Sequence, residues 1–335
     1  MKTYLKYIFQ FILLIGVLTS CFKEDEKIDI PMPGENETDT IVLGNIYYNQ
    51  VWVDLNGLQE KANHKIDTWD LAFSCSENNF TIKLNSALTM YAGTNKASVF
   101  ENVVSEEGIE MHFDASSGNP DSLAFGGWYQ IESEEQNTYS SKEYVYVVNR
   151  GTDSDLTEIG FKKVQFFIDG EDYVIRYANL DGTEEKTATI TKNNAYNYIH
   201  LSFEDGIVNI EPPKAEWSLK FSRYSKILYT NEDEPYDYNV VGVLLNPYQV
   251  MAVETDMKYE DIVLSDTSLL DFTRKADVIG YSWKYYDFDT GSYTIVQDKN
   301  YVVKNRDGFF YKIRFISFYD QSGNKGSIVY QVKRL

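Results

Sequence analysis

Histidine and cysteine are scarce: the chain has 3 His and 2 Cys in 335 residues. Three scattered histidines argue against a dedicated zinc site. Two cysteines allow at most one internal disulfide. Positive charge is also short, with 31 Lys and Arg against 51 Asp and Glu, a net −20. Phosphate backbones demand basic surfaces, so nucleic acid is excluded as a partner. There is no Gly-x-Ser-x-Gly, no His-Glu-x-x-His and no Gly-x-x-x-x-Gly-Lys, so the common hydrolase and phosphate-loop signatures are absent. Asp287-x-Asp289-x-Gly291 starts like a calcium loop but lacks Gly at the sixth position and Glu at the twelfth; it reads as a hairpin tip. No pair among the many carboxylates is singled out for glycoside cleavage. The expectation is a protein that is not an enzyme and that holds no metal beyond a cofactor's own.

What is present begins at the N-terminus. Lys2 and Lys6 precede an apolar run from Ile8 to Leu18, followed by the small residues Thr19 and Ser20. That is a secretory signal, too short for a membrane span of roughly 20 apolar residues. Leu18-Thr19-Ser20-Cys21 resembles the lipobox of bacterial lipoproteins, which implies cleavage before Cys21 and lipid on its thiol. Phe22-Lys23-Glu24-Asp25-Glu26 resembles a signal that sends lipoproteins to the outer face of the outer membrane. Residues 1–20 are thus expected to be a signal peptide and 21–42, with Pro31 and Pro33, an acidic flexible stalk. Losing Lys2 and Lys6 takes the net charge from −20 to −22. So acidic a chain is repelled by anionic lipid, so any hold on a membrane is through the acyl chains alone. With Cys21 lipidated, Cys75 has no internal partner and reads as core.

About 290 residues follow the stalk, enough for one large or two ordinary domains. The 27 tyrosines, with Phe, Val, Ile and Thr, favour strands. Segments 143–148, 163–168, 173–177 and 311–316 alternate at period two, and Asp169-Gly170, Asp181-Gly182 and Ser322-Gly323 read as turns. Only residues 256–275 could hold a helical turn or two. The fold class is all-β, in antiparallel hairpins.

The chain also echoes itself. Trp69-Asp-Leu-Ala-Phe73 returns as Trp217-Ser-Leu-Lys-Phe221, and Tyr146-Val-Val-Asn-Arg-Gly151 as Tyr301-Val-Val-Lys-Asn-Arg-Asp-Gly308. Phe161-Lys-Lys-Val-Gln-Phe166 returns as Phe310-Tyr-Lys-Ile-Arg-Phe315, and each is followed by a turn and a closing strand. A tandem duplication accounts for the shared order, with domains at 43–211 and 212–335 and a boundary at Pro212-Pro213.

Trp69-Asp-Leu-Ala-Phe73, Gly126-Gly127-Trp128 and the ending Tyr311-Lys-Ile-Arg-Phe315 through Gly323, Gly326 and Ile328 resemble the HmuY family, over about residues 45–192 and 213–335. The resemblance implies two tandem all-β domains in a lipid-anchored, outward-facing lipoprotein of the outer membrane. It implies haem as cofactor, taken from host haem proteins and passed to an outer-membrane transporter without catalysis. Family members hold the iron between paired His or paired Met. One ligand position falls on Ile131, Glu132 and Ser133 or on Tyr286, Asp287 and Phe288, none of which qualifies.

Haem needs an imidazole or soft ligand and an apolar slot. Met111, His112 and Met257 are the candidates. Met111 and His112 are adjacent and would point to opposite faces of a strand; Met257 lies on a polar loop. Met251 and Met90 read as core packing. Tyrosine can also bind ferric haem. The alternative is a glycan- or protein-binding adhesion module using exposed tyrosines such as Tyr47-Tyr48 and Tyr285-Tyr286.

Overall fold

The computed structural model describes residues 34–335 apart from Ser154 and Asn231. The expected signal peptide, Cys21 and the stalk as far as residue 33 lie outside the described residues. Residues 34–335 form one compact unit.

Three strands come first: β1 (Glu37–Val42), β2 (Asn49–Asp54) and β3 (Gln59–Lys65). Then follow β4 (Leu71–Ser74), β5 (Ile82–Leu84), β6 (Tyr91–Gly93), β7 (Tyr129–Ser133), β8 (Thr138–Ser141), β9 (Val145–Asn149), β10 (Phe161–Asp169) and β11 (Asp172–Ala178). Next are β12 (Lys186–Ile190), β13 (Tyr198–Ser202), β14 (Gly206–Val208), β15 (Leu219–Tyr229), β16 (Pro235–Leu245) and β17 (Met251–Thr255). The last are β18 (Lys284–Asp287), β19 (Ser292–Ile295), β20 (Asn300–Lys304), β21 (Phe310–Tyr319) and β22 (Lys325–Arg334). The expected all-β, antiparallel class is what the structure has. Residues 256–275 supply only the 3-10 segment Leu264–Leu269.

The strands build two sandwiches. In one, the sheet β12-β11-β10-β9-β6 faces the sheet β14-β13-β4-β5, across a core that includes Phe73, Phe80, Trp128, Phe166 and Tyr173. In the other, β1-β22-β21-β20-β17 faces β16-β15-β2-β3, across Phe221, Trp283, Tyr301, Phe315 and Tyr330. Each fully buried large apolar side chain contributes roughly 1.5–3 kcal/mol. Period-two alternation explains the packing. Leu71 and Phe73 enter one core while Ala72, between them, joins a third cluster with Trp52, Trp69, Ile210 and Trp217. That cluster takes residues from both four-stranded sheets, so their outer faces pack against each other.

Three details differ from the sequence reading. The stalk was expected to run to residue 42, but Glu37–Val42 pairs with β22 from Glu37↔Val332 to Val42↔Ser327. The segment Thr38-Asp-Thr-Ile41 alternates and buries Ile41, and the hydrogen bonds of an edge strand suffice to order it. The segment 49–65 pairs through β2 with β15, beyond Pro212-Pro213, rather than with its own sequence neighbours. Met251 is half-buried, not core; its neighbours Val250 and Ala252 take the interior. Cys75 and Met90 are buried as expected.

Candidate functional site

The long connection from β6 to β7 returns to its own sandwich through one short contact. Ala92 N–H donates to His112 O (2.8 Å) and His112 N–H to Ala92 O (2.9 Å). Gly93 makes the approach possible, since a Cβ there would stand 2.1 Å from Glu110 O. The extended backbone at 111–113 then alternates. Met111 turns inward onto the cluster of Phe100, Val103, Val145 and Val147. His112 is exposed, with Nε2 3.8 Å from Glu110 Oε1. The expected opposition of these two side chains is present.

Across from this segment stands the outer end of the β15–β16 hairpin. Its strands pair over their whole length, from Leu219↔Leu245 to Tyr229↔Pro235, and their far halves overhang, leaving Ile227 and Tyr229 exposed. Two contacts fix the overhang. Tyr91 O–H donates to Asp237 Oδ2 at 2.8 Å. Lys226 Nζ donates to Asp277 Oδ2 at 2.6 Å and to Ser116 Oγ at 3.2 Å. Burial, with the Asp237 bond and charge, pushes the Tyr91 phenol up to about 12, so it stays a proton donor.

Between the two lies a cleft of about 650 Å³ lined by Tyr91, Met111, His112, Phe113, Ile227 and Tyr229, among others. The volume falls within the roughly 300–1,000 Å³ of small-ligand sites. Its walls are mixed, with Tyr91, Met111, Phe113, Ile227 and Tyr229 beside Ser116, Ser117, Ser122, Lys226 and Asp237, and it offers the imidazole of His112 and, in Tyr229, a phenol with no protein partner among the described residues. His200 cannot serve in its place. It is buried edge-on to Trp69 (ring centroids 4.7 Å), and burial and Lys220 hold its imidazole down to about 3. His64 sits on β3 beside Trp52, and Met257 is not among the cleft's lining residues. Met257 lies after β17, its carbonyl accepting from Asn300 Nδ2 at 2.9 Å. The structure therefore brings together Met111 and His112 but not Met257. The opposite wall, Ile227 and Tyr229, has no sequence signal beyond an ordinary strand. Among the described residues no group of three or more His, Cys, Asp or Glu could hold a metal ion.

A second aromatic surface lies on the β18–β19 hairpin. Tyr285 and Tyr286 are exposed, and Phe288 is 88% exposed. The Tyr286 ring lies 5.1 Å from both Phe288 and Tyr293. Tyr47 and Tyr48 do not share that exposure; Tyr47 is half-buried on Phe318, with centroids 5.6 Å apart.

A sequence model described as HmuY protein matches residues 46–331. Three solved structures are similar to the chain. Apo PinO from Porphyromonas gingivitis is 10% identical, with 90% of this chain and 97% of that one covered and a TM-score of 0.28. The apo HmuY analogue of Tannerella forsythia is 10% identical, with 91% and 98% covered and a TM-score of 0.27. A protein of Bacteroides vulgatus named as HmuY-like and heme binding is 17% identical, with 51% and 90% covered and a TM-score of 0.18. No curated protein matches the chain.

Proposed function

The chain belongs to the HmuY family, and from that premise we propose that it binds haem, without catalysis, in the cleft between residues 111–113 and the β15–β16 overhang. The observation that carries the reading is His112, the one imidazole lining a cleft of about 650 Å³ that also presents Tyr91, Phe113, Ile227 and Tyr229. A neutral imidazole is a good ligand for ferric iron. Tyr229 would approach the other face, and Phe113 and Ile227 would flank the porphyrin. Haemin titration of the purified chain tests this. A red-shifted Soret band that saturates near one haemin per chain is expected, lost or blue-shifted in His112→Ala and unchanged in Met257→Ala. An unaltered spectrum at micromolar protein would refute it.

The same reading extends to the address. Lipid on Cys21, an outward orientation, capture of haem from host haem proteins and delivery to an outer-membrane transporter together make use of an open, surface-facing cleft. Metabolic labelling with a palmitate analogue, abolished by Cys21→Ala, checks the anchor, and protease accessibility on whole cells checks the orientation. A second reading is favoured by the exposed rings of Tyr285, Tyr286 and Phe288: a glycan platform, since aromatic faces stack on sugar rings. Retention on a glycan array that is lost in Tyr286→Ala, with no haemin response, would replace the first reading with this one.

A further inference from the structure

The packed faces of the two four-stranded sheets are not uniformly apolar. One row across the first sheet reads Val208, His200, Ala72, Lys83. One row across the second reads Ala62, Trp52, Lys220, Leu244. Trp69 and Trp217 close over them from the strand entries. The two rows enclose a cavity of about 210 Å³ whose lining includes Lys83, Lys220 and the three tryptophans.

Neither lysine is bridged to a carboxylate among the described residues: Lys83 is hydrogen-bonded to the Tyr198 side chain, and Asp114 and Glu211, which also line the cavity, act on the lysines only through their fields. Lys220 Nζ lies 4.6 Å from the centre of the Trp52 ring and 5.6 Å from that of Trp69. Lys83 Nζ lies 4.5 Å above the Tyr198 ring. Neither forms an ion pair among the described residues. The two nearby carboxylates are taken by other donors. Glu211 accepts from Asn197 Nδ2 (2.5 Å), Tyr198 N–H (3.1 Å) and Trp217 Nε1–H (3.2 Å). Asp114 accepts from the N–H groups of Leu84 (2.7 Å) and Ala124 (2.9 Å). Both lysines are half-buried, and for Lys220, which has no hydrogen-bond acceptor among the described residues, cation–π contacts offset only part of the cost of leaving water. The interiors of both sandwiches show that this sequence can fill a core with apolar side chains; here Lys83, Lys220, Arg223 and Arg274 line an open space, outnumbering the carboxylates Asp114 and Glu211.

We propose that the cavity is a binding site for a small organic carboxylate, its charge received by Lys83 and Lys220 and its apolar body laid against Trp52, Trp69 and Trp217. The aromatic walls argue for an organic rather than an inorganic anion. The volume sets the size: a cavity of about 150 Å³ takes benzene, so this one takes a benzoate-sized or short-chain acid. Ser116, Ser117, Gly118, Arg274 and Ala276, none of them buried, line the side of the cavity we take as its mouth. Ala276 N–H donates to Ser117 O (3.0 Å) across that mouth. Ala115, Ser116 and Ser117 also line the neighbouring cleft, but the lysines do not. The proposal is independent of haem.

The test is isothermal titration of the whole chain with benzoate, hexanoate, benzyl alcohol and inorganic phosphate, with tryptophan fluorescence read in parallel. Benzoate or hexanoate should bind with a fluorescence change, and benzyl alcohol and phosphate about tenfold more weakly or not at all. Lys220→Met keeps the length of the side chain and removes the charge. It should fold, as judged by its melting transition, and lose about tenfold or more in benzoate affinity. Binding should also weaken as pH rises through about 8, to which burial lowers Lys220 against the opposing pull of Glu211. Equal benzoate binding by wild type and Lys220→Met, equal binding of benzyl alcohol, or no binding of either acid at millimolar concentration overturns the proposal. Loss of a wild-type haemin response in Lys220→Met overturns it too, because the lysine would then belong to the haem site.

Discussion

Replacing Arg150 with methionine isolates the strongest single polar tie in the first sandwich. Arg150 follows β9 on the five-stranded sheet, and Asp70 precedes β4 on the facing one. The guanidinium reaches across, Nε to Asp70 Oδ1 at 2.8 Å and Nη2 to Asp70 Oδ2 at 3.2 Å. The Asp70 side chain is only 3% exposed and that of Arg150 10%, and Phe203 N–H adds a third bond to Asp70 at 2.8 Å. Burial raises the Asp70 carboxyl even against the pull of Arg150. Methionine fills similar space but leaves a buried carboxylate without its cation, which costs about 3–5 kcal/mol. The loss should depend on pH. A raised native pKa means the native state holds the proton where the unfolded chain releases it. Stability therefore falls as pH rises through that window, by up to about 1.4 kcal/mol per unit. Without Arg150 the native pKa climbs further and the window widens upward, so the variant should recover part of its deficit as pH falls toward the carboxyl range. Urea unfolding of wild type and Arg150→Met at pH 5 and pH 7.5 measures both effects. A deficit under about 1 kcal/mol, or one equal at the two pH values, would show that Asp70 does not depend on Arg150.

Other outcomes follow from other sites. Asn85 Nδ2 donates to the carbonyls of Ile66 and Trp69, and Asn246 Nδ2 to those of Lys214 and Trp217. Alanine at either strands two carbonyls and should cost about 2–3 kcal/mol by urea unfolding, and the two losses should add. His200, held near 3, stays neutral where the unfolded chain gains a proton below about 6.5. That favours unfolding increasingly as pH falls from 6.5 toward 3, and His200→Phe should flatten the acid limb of the stability profile. Gly151 has φ +68° and a Cβ there would meet Leu88 O at 1.8 Å, so Gly151→Ala should lower the melting temperature by several degrees.

The strand chemistry was legible because alternation is local. Phe161–Asp169 and Asp172–Ala178 are read from their residues and from Asp169-Gly170 between them. The opposition of Met111 and His112 follows from the same rule. What covers each face is not local. Lys220, between Leu219 and Phe221, lies on the face of β15 that the other four-stranded sheet covers, its Nζ 5.6 Å from the centre of the Trp69 ring. The cleft's far wall is likewise set by the overhang of β15–β16 past its partner β2, which pairs only with Leu219–Phe221. Ile227 and Tyr229 carry no mark of that in the sequence.

The same non-local pairing bears on the echoes within the chain. The two sheet orders correspond strand for strand, β6-β9-β10-β11-β12 to β17-β20-β21-β22-β1 and β5-β4-β13-β14 to β16-β15-β2-β3. In that correspondence β1–β3 match β12–β14. Taken in chain order, β1–β11 correspond to β12–β22, and the first three strands of each series lie in the same sheets as strands from the last eight of the other. This sharing makes the two sandwiches interdependent, because β2 supplies Val51 and Val53, and β1 Ile41, to the second core. Deleting residues 34–65 from the chain should therefore unfold the C-terminal sandwich, read as loss of hydrogen-exchange protection in β15–β22, while β4–β14 keep theirs. Retained protection in β15–β22 would mean that 212–335 stands as a domain by itself and would refute that interdependence.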